Sequence, residues 1–163
     1  MLVRNVKLMH TIRATTNIDA PIERCFLLST HIDTVRETLA LTPVDGRTHG
    51  HVVNGDRVVW RGWKFGLPQV HHTLITGYTF PTFFQDTQEK GRFAHFQHDH
   101  HLLASGTATE LHDEVRFALP FGALGRLVAR LILIPHIEGL LRKRFALLKR
   151  LAETEAWRDV LAG

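Results

Sequence analysis

A strict two-residue alternation between Gly106 and Leu119 limits the folds open to this chain. Leu111 and Phe117 share one face of this run, while Glu110 and Arg116 share the other. This period is typical of a β-strand in a sheet with one side in water and the other side covered. The covered side needs a second layer, which the rest of the chain must supply.

Four more β-rich segments precede this run, and short turn signals containing glycine or proline separate them. The five segments cover residues 57–65, 69–78, 80–88, 92–103 and 107–118. The turn signals are Gly66-Leu67-Pro68, Lys90-Gly91 and Ser105-Gly106. Because the connections are so short, consecutive strands must run in opposite directions. The pattern therefore predicts an antiparallel meander.

The longest helical pattern follows Gly122, with apolar residues at helical spacing from Leu124 to Leu151. This helix is expected to cover the sheet, and Pro135 should kink or break it near its middle. A basic cluster on it is interpreted as a solvated face, or alternatively as a contact for an anionic lipid headgroup or membrane surface. That cluster consists of Arg142, Lys143 and Arg144.

The N-terminal part of the chain predicts one strand and two short helices. Residues 8–18 have strand character, and Pro21 suits the first position of a helix over residues 22–29. A second short helix is expected around residues 32–37. Cys25 lies among apolar residues of the first helix and is expected to be a small buried hydrophobe. As the chain's one cysteine, it has no intramolecular disulfide partner.

Composition favours one folded domain over residues 1–163. The chain is 44% hydrophobic and 22% charged, which excludes disordered and fibrous classes. Its formal charge of +4 is mostly dispersed, so no nucleic-acid partner is expected. Arg126 and Arg130 interrupt the most apolar stretch, so no integral membrane segment is expected. The first ten residues lack an apolar signal core, which favours a cytoplasmic location.

The order of these elements resembles the START-like superfamily. This helix-grip group includes polyketide cyclase/dehydrase-like proteins, which are the most similar, and plant pollen-allergen-like proteins. Six local marks carry the resemblance in order along the chain: Ile18-Asp19-Ala20-Pro21, Gly55–Trp60, Phe84-Gln85-Asp86, Phe96–His100, Gly106-Thr107 with Leu111–Val115, and Pro120-Phe121-Gly122. It implies an α+β fold: a curved seven-stranded antiparallel sheet wrapped around the long C-terminal helix, with two short helices after the first strand. It also implies an internal cavity, but no particular reaction.

The chain has twelve histidines, and strand register decides which of them face inward. A turn at Ser105-Gly106 would place three pairs on the covered face: His98 with Asp113, His100 with Leu111, and Phe96 with Val115. Three interpretations of the His98–Asp113 pair remain open. It is a satisfied buried carboxylate, a polar anchor or acid/base pair in an apolar cavity, or, with His100, part of a metal site that lacks a fourth ligand.

The candidate ligand-binding residues combine aromatic, apolar and polar side chains expected on the covered face. They are Trp60, His72, Phe84, Phe96, His98, His100, Leu111 and Asp113. The catalytic candidates are His98 and Asp113. We expect no metal, because no matching fourth ligand is evident. We also expect no cofactor, since the sequence contains no phosphate-binding glycine loop and no dinucleotide-binding motif.

Three functional hypotheses follow. The first is binding of a hydrophobic small molecule, such as a lipid, polyketide or aromatic compound. The second is a cyclase- or dehydratase-type enzyme that uses the His98–Asp113 pair on such a molecule. The third is a regulatory or protein-interaction domain without a ligand. Peripheral membrane contact and a homodimer are compatible with each, and whether the protein is an enzyme stays open.

Overall fold

The computed structural model describes residues 9–163 of the chain. Seven strands, five α-helices and one π-helical segment follow one another in this part. In chain order they are β1 (His10–Ile18), α1 (Ile22–Thr30), α2 (Ile32–Leu39), β2 (Thr42–Gly46), β3 (Arg57–Lys64), β4 (Leu67–Thr79), β5 (Phe83–Lys90), β6 (His95–Ser105), β7 (Ala108–Ala118), α3 (Gly122–Val128), the π-helical segment (Ala129–Leu133), α4 (Ile134–Ala152) and α5 (Trp157–Leu161).

All seven strands form one antiparallel sheet in the order β1-β7-β6-β5-β4-β3-β2. The strands from β2 to β7 are a meander, and β1 closes the series by pairing with β7. The long helical segment and the two short helices cover one face of the sheet, here called the inner face. The predicted fold class is confirmed.

The register of β6 and β7 differs from the predicted one by two residues. Ser105 pairs with Ala108, so the turn consists of Gly106, at φ +62°, and Thr107. The observed pairs are His98 with Val115, His100 with Asp113, and Phe96 with Phe117. Because side chains alternate with a period of two, a two-residue shift exchanges partners without changing faces. The predicted register is wrong, and the predicted inner face is confirmed.

The long helix is not broken at Pro135, because helical segments follow one another without a gap from Gly122 to Ala152, but the helix type changes just before this residue. The α-helical ladder of α3 gives way to the π-helical segment Ala129–Leu133, and α4 then carries Pro135 as its second residue. Proline has no N–H, and its ring crowds the carbonyl four residues earlier in a regular α-helix. The wider π turn accommodates this defect. None of the described helices is both long and apolar enough to cross a membrane.

The core lies between the inner face and the helices. At one end, Phe26 and Leu28 of α1 pack with Leu148 of α4 and the sheet. A second cluster joins Phe117 of β7 to Leu141 of α4. A third cluster lies under α2 and contains Ile32, Val52, Val58, Trp60 and Ile75. Cys25 is fully buried in the first cluster, as expected.

Candidate functional site

Five ionisable side chains meet at the centre of the inner face. We call Asp86, His98, His100, Asp113 and Arg144 the inner polar cluster. Strand register brings the first four together, because Asp86 of β5 pairs with His98, and His100 of β6 pairs with Asp113 of β7. Arg144 reaches them from α4, which lies across the sheet. The cluster therefore joins three adjacent strands to the long helix.

Asp113 is the centre of the cluster and is only 2% exposed. Arg144, itself 5% exposed, donates from Nε to Asp113 Oδ2 over 2.9 Å. His100 bridges two carboxylates: its Nδ1 lies 3.1 Å from Asp113 Oδ1, and its Nε2 lies 3.0 Å from Asp86 Oδ2. The ring of Phe84 stacks on His100 with centroids 4.0 Å apart. These contacts hold the imidazole in one orientation.

The two histidines of the cluster have pKa values shifted in opposite directions. Burial lowers the pKa of His98, and the neighbouring His100 lowers it further. Burial opposes the charged form of His100 too, but the Asp113 charge and the hydrogen bonds to Asp113 and Asp86 together outweigh it and raise the His100 pKa. The Arg144 guanidinium holds the Asp113 pKa well below its usual range despite burial. Near neutral pH, His100 is therefore the charged imidazole and His98 the neutral one.

Asp86 and His98 differ from Asp113 in that they are not sealed off. The side chain of Asp86 is 20% exposed and that of His98 is 14% exposed, whereas the side chain of Asp113 is 1% exposed. Both lie on the inner face of the sheet, and their residual exposure shows that the helical layer does not seal this part of the face. His98 Nε2 has no hydrogen-bond partner, since its 3.3 Å approach to Asp113 Oδ2 has poor geometry. This nitrogen is itself buried, so the exposed part of the His98 side chain lies elsewhere on the residue.

Two depressions of about 370 and 380 Å³ lie elsewhere on the described chain. One is formed by the connection between β2 and β3, from Gly46 to Arg57. The other lies between β1 and α4, next to Ile12 and Leu141. Neither is lined by a residue of the inner polar cluster. Asp86 and His98 therefore lie outside both depressions.

Comparison with known proteins identifies the architecture. No protein-family model matches the sequence, and no curated protein matches it. Among solved structures, the di-domain ARO/CYC protein BexL of the BE-7585A biosynthetic pathway superposes with a TM-score of 0.73 at 17% identity, over 94% of this chain and 53% of BexL. A START superfamily protein from Mycobacterium smegmatis gives 0.65 at 13% identity, over 88% of this chain and 97% of that one. The chain has the START-like helix-grip fold.

Norcoclaurine synthase from Thalictrum flavum, solved with dopamine and hydroxybenzaldehyde, shares this START-like fold as well. Its TM-score is 0.66 at 8% identity, over 88% of this chain and 86% of that one. At such low identities the likeness establishes the START-like architecture alone. This chain also spans only about half the length of BexL. The chemistry of the START-like inner face must therefore be argued from its own residues.

The sequence-predicted ligand-binding residues occupy three environments in this START-like fold. Trp60, Phe84 and Leu111 are at most 4% exposed and pack in the core. Phe96, His98, His100 and Asp113 lie on the inner face in or beside the polar cluster. His72 lies on the outer face instead, paired with Val59 and Lys90.

His71 is the inner-face histidine of the His71-His72 pair, because it pairs with the buried Trp60. Its ring meets that of Phe96 edge to face, with centroids 5.7 Å apart. Burial lowers the pKa of His71, so the ring is neutral near pH 7. His71 and Phe96 thus form an apolar flank beside Asp86 and His98.

Sequence reasoning missed two members of the inner polar cluster. Asp86 contributes to the sequence analysis only through the Phe84-Gln85-Asp86 part of the family resemblance. Alternation along β5 nevertheless puts it on the same face as Phe84. Arg144 was assigned to a solvated basic face, and this is wrong for Arg144, which is buried against Asp113. Arg142 and Lys143 are exposed, as expected. The helical spacing of Arg144 from the core residues Leu141 and Leu148 was the available signal.

Asp86, His98 and His100 also have the geometry of a metal-ligand set. Their ligand atoms lie within 4.8 Å of one another. However, a cation here would have to displace the proton that two carboxylates stabilise on His100. Arg144 Nη2 also lies only 3.2 Å from His100 Nδ1, so a second positive charge is already present. The charges around this set therefore favour a proton over a metal ion.

The stability of the protein should depend on His98 in a pH-dependent way. Because folding lowers the pKa of His98, the unfolded chain binds this proton more readily, and stability is lost as pH falls below the unfolded value. The groups facing it are His71, Asp86, His100, Asp113 and Arg144. Urea unfolding between about pH 7.5 and pH 5.5 should therefore show a smaller loss of stability for His98→Asn than for the wild type. An equal or larger loss in the variant would show that His98 is not held neutral.

Proposed function

We propose that the protein binds a hydrophobic small molecule that carries at least one hydrogen-bonding group. The molecule lies between the inner face and the long helix, and its polar group contacts Asp86 and His98. The observation that carries this proposal is the incomplete burial of these two side chains, at 20% and 14% exposure, beside a fully sealed ion pair. Ligand pockets typically combine apolar walls with a few convergent polar groups.

The chemistry of the two anchors defines the polar group of the ligand. Asp86 is ionised, because the hydrogen bond from His100 and the charge of that ring lower its pKa despite burial. It therefore accepts a hydrogen bond from a ligand hydroxyl or N–H. Neutral His98, with Nδ1 3.9 Å from Asp86 Oδ2, either donates or accepts. A phenol or alcohol on an apolar skeleton satisfies both.

The fold of the similar structures supports this proposal without naming the ligand. Norcoclaurine synthase was solved with two small phenols, dopamine and hydroxybenzaldehyde, and BexL is an ARO/CYC protein of a biosynthetic pathway. These statements concern those proteins. For this chain, they make an aromatic or polyketide-like ligand the first class to test.

One observation favours a catalytic role as the second candidate. Neighbouring titratable groups with pKa values shifted apart are a common acid/base arrangement, and the His98 and His100 rings have centroids only 3.7 Å apart. His98 would act as the base on a bound substrate, while His100 and Arg144 fix the charges around it. This cyclase- or dehydratase-type role predicts turnover that requires His98. Ligand binding without turnover would leave the carrier role alone.

The anchor is tested with two probes of matched shape, 2-naphthol and 2-methylnaphthalene. The wild type should bind 2-naphthol roughly tenfold more tightly, because a hydrogen bond to a charged group is worth about 1.5 kcal/mol or more. In Asp86→Asn and His98→Ala this preference should shrink to about twofold or less. The measurement is the dissociation constant from probe fluorescence or calorimetry.

His72→Ala is the matched control, since it removes a histidine from the outer face of the same sheet. It should keep the full preference for 2-naphthol. The proposal fails if the wild type binds neither probe, or if His98→Ala and His72→Ala behave alike.

A further inference from the structure

Three connections meet at one end of the sheet, because strands of an antiparallel meander return to the same edge at every second turn. They are the β3–β4 hairpin, the β5–β6 turn and the segment after β7. Phe65 at the hairpin tip contacts His136 of α4, with ring centroids 4.9 Å apart. Arg92 of the β5–β6 turn donates from Nη2 to the Pro68 carbonyl over 3.0 Å. Hairpin, turn and helix therefore form one continuous surface.

This surface exposes large apolar side chains, each between 54% and 81% exposed. We call it the apolar end, and define it by Trp63 and Phe65 on the hairpin and by Phe121, Leu124, Leu127 and Leu131 on the helical side. Single exposed apolar residues are common on proteins, but six large ones at the same end of a fold favour an interaction site.

The orientation of α3 is the reverse of what packing alone would produce. Its buried residue is Gly125, and the next buried residue along the helix is Ala129. A Cβ at Gly125 would lie 2.1 Å from the carbonyl oxygen of Pro120, in the segment that leads into the helix, so this buried position has no room for a larger residue. Leu124, Leu127 and Leu131, spaced i, i+3 and i+7, are exposed. A surface helix normally buries its leucines, so this one presents them to a partner.

The two segments that carry the apolar end contain basic residues and no acidic ones. Neither residues 57–85 nor residues 115–137, which build it, contain an aspartate or a glutamate. Lys64 stands at the hairpin tip. Burial lowers the pKa of the adjacent His136, and the Lys64 charge lowers it further. Arg126 and Arg130 are exposed on the helical side. Leucines flanked by basic residues are the pattern of a helix that lies in the surface of an anionic bilayer.

We propose that the apolar end docks on the surface of a negatively charged membrane. Trp63, Phe65 and the exposed leucines enter the boundary between headgroups and acyl chains, while Lys64, Arg126 and Arg130 extend to lipid phosphates. A second copy of the chain fits less well, because a symmetric contact would bring these three cations against their own copies. Docking of the apolar end does not require a ligand at Asp86 and His98.

The test is co-sedimentation of the full chain with vesicles. One set contains equal parts of phosphatidylcholine and phosphatidylglycerol, and the other contains phosphatidylcholine alone. The wild type should bind the anionic vesicles and lose that binding in high salt. Arg126→Gln and Arg130→Gln should each weaken binding about fivefold. Leu131→Glu should weaken binding by about tenfold or more, because the variant no longer transfers a leucine side chain from water into the bilayer.

The matched controls lie elsewhere on the same protein. Leu103 is 53% exposed next to the β6–β7 turn, at the opposite end of the sheet, so Leu103→Glu should bind vesicles like the wild type. Arg158→Gln, on α5, should do the same. Thermal unfolding of Leu131→Glu should match that of the wild type, because the side chain is exposed. The proposal is overturned if wild-type protein stays in the supernatant, if Leu103→Glu weakens binding as much as Leu131→Glu, or if Leu131→Glu instead abolishes a wild-type dimer that does not bind vesicles.

Discussion

Arg144→Met is expected to lower the free energy of unfolding by about 3–5 kcal/mol, because it leaves a buried carboxylate without its main counter-charge. Asp113 is 2% exposed, and Arg144 donates to it from a position that is 5% exposed. Methionine fills a similar volume, so the lost stability is due to the missing positive charge and not to a cavity. The measurement is the urea unfolding midpoint and slope near pH 7.

Two companion variants separate this explanation from a general effect of mutating the helix. Arg142→Met, two residues away and exposed, should stay within about 0.5 kcal/mol of the wild type. The double variant Asp113→Asn with Arg144→Met should be more stable than Arg144→Met alone, since the unpaired charge is gone. A single variant as stable as the wild type would show that Asp113 is not the centre of a buried ion network.

Trp60→Ala should cost about 3–5 kcal/mol of unfolding free energy. Trp60 is 2% exposed and packs under α2 with Ile32, Val58 and Ile75, so its removal leaves a large cavity. Trp63 lies three residues later on the same strand but is 70% exposed. Trp63→Ala should keep the stability of the wild type and lose vesicle binding.

This pair of tryptophan variants distinguishes two roles for aromatic residues on β3. Thermal and urea unfolding should respond to Trp60→Ala, and vesicle co-sedimentation to Trp63→Ala. If the two variants lost equal amounts of stability, the assignment of inner and outer positions on β3 would be wrong.

Strand faces were predictable from the sequence, whereas the register of β6 and β7 was not. The alternation of Leu111, Asp113 and Val115 depends only on the two-residue period of a strand. Register depends on which residues make the turn, and Gly106 occupies the first turn position with a positive φ rather than the second. Both registers keep the same faces, so the histidines were assigned to the correct face but to the wrong partners.

The site was only partly predictable because it combines strands with a helix. Arg144 is spaced like a core residue but carries a charge, and composition favoured a solvated face. Asp86 lies on β5, where bulges in the pairing with β4 interrupt the register that would connect it to His71 and Trp60. Helical periodicity detected Leu124, Leu127 and Leu131 but could not tell that they face outward. In the structure, Gly125 and Ala129 are the buried residues of this stretch, and the leucines lie on the exposed side.

The ligand-binding interior is tested most directly by native mass spectrometry. Wild-type protein, His98→Ala and His72→Ala are each incubated with the total organic extract of the host and then measured. We expect one hydrophobic molecule to be bound per chain in the wild type and in His72→Ala, and a clearly lower occupancy in His98→Ala. Organic extraction of the complex then identifies the compound. Two results would contradict a ligand anchored at Asp86 and His98. One is a wild-type spectrum that shows only the mass of the free protein, and the other is equal ligand occupancy in all three proteins.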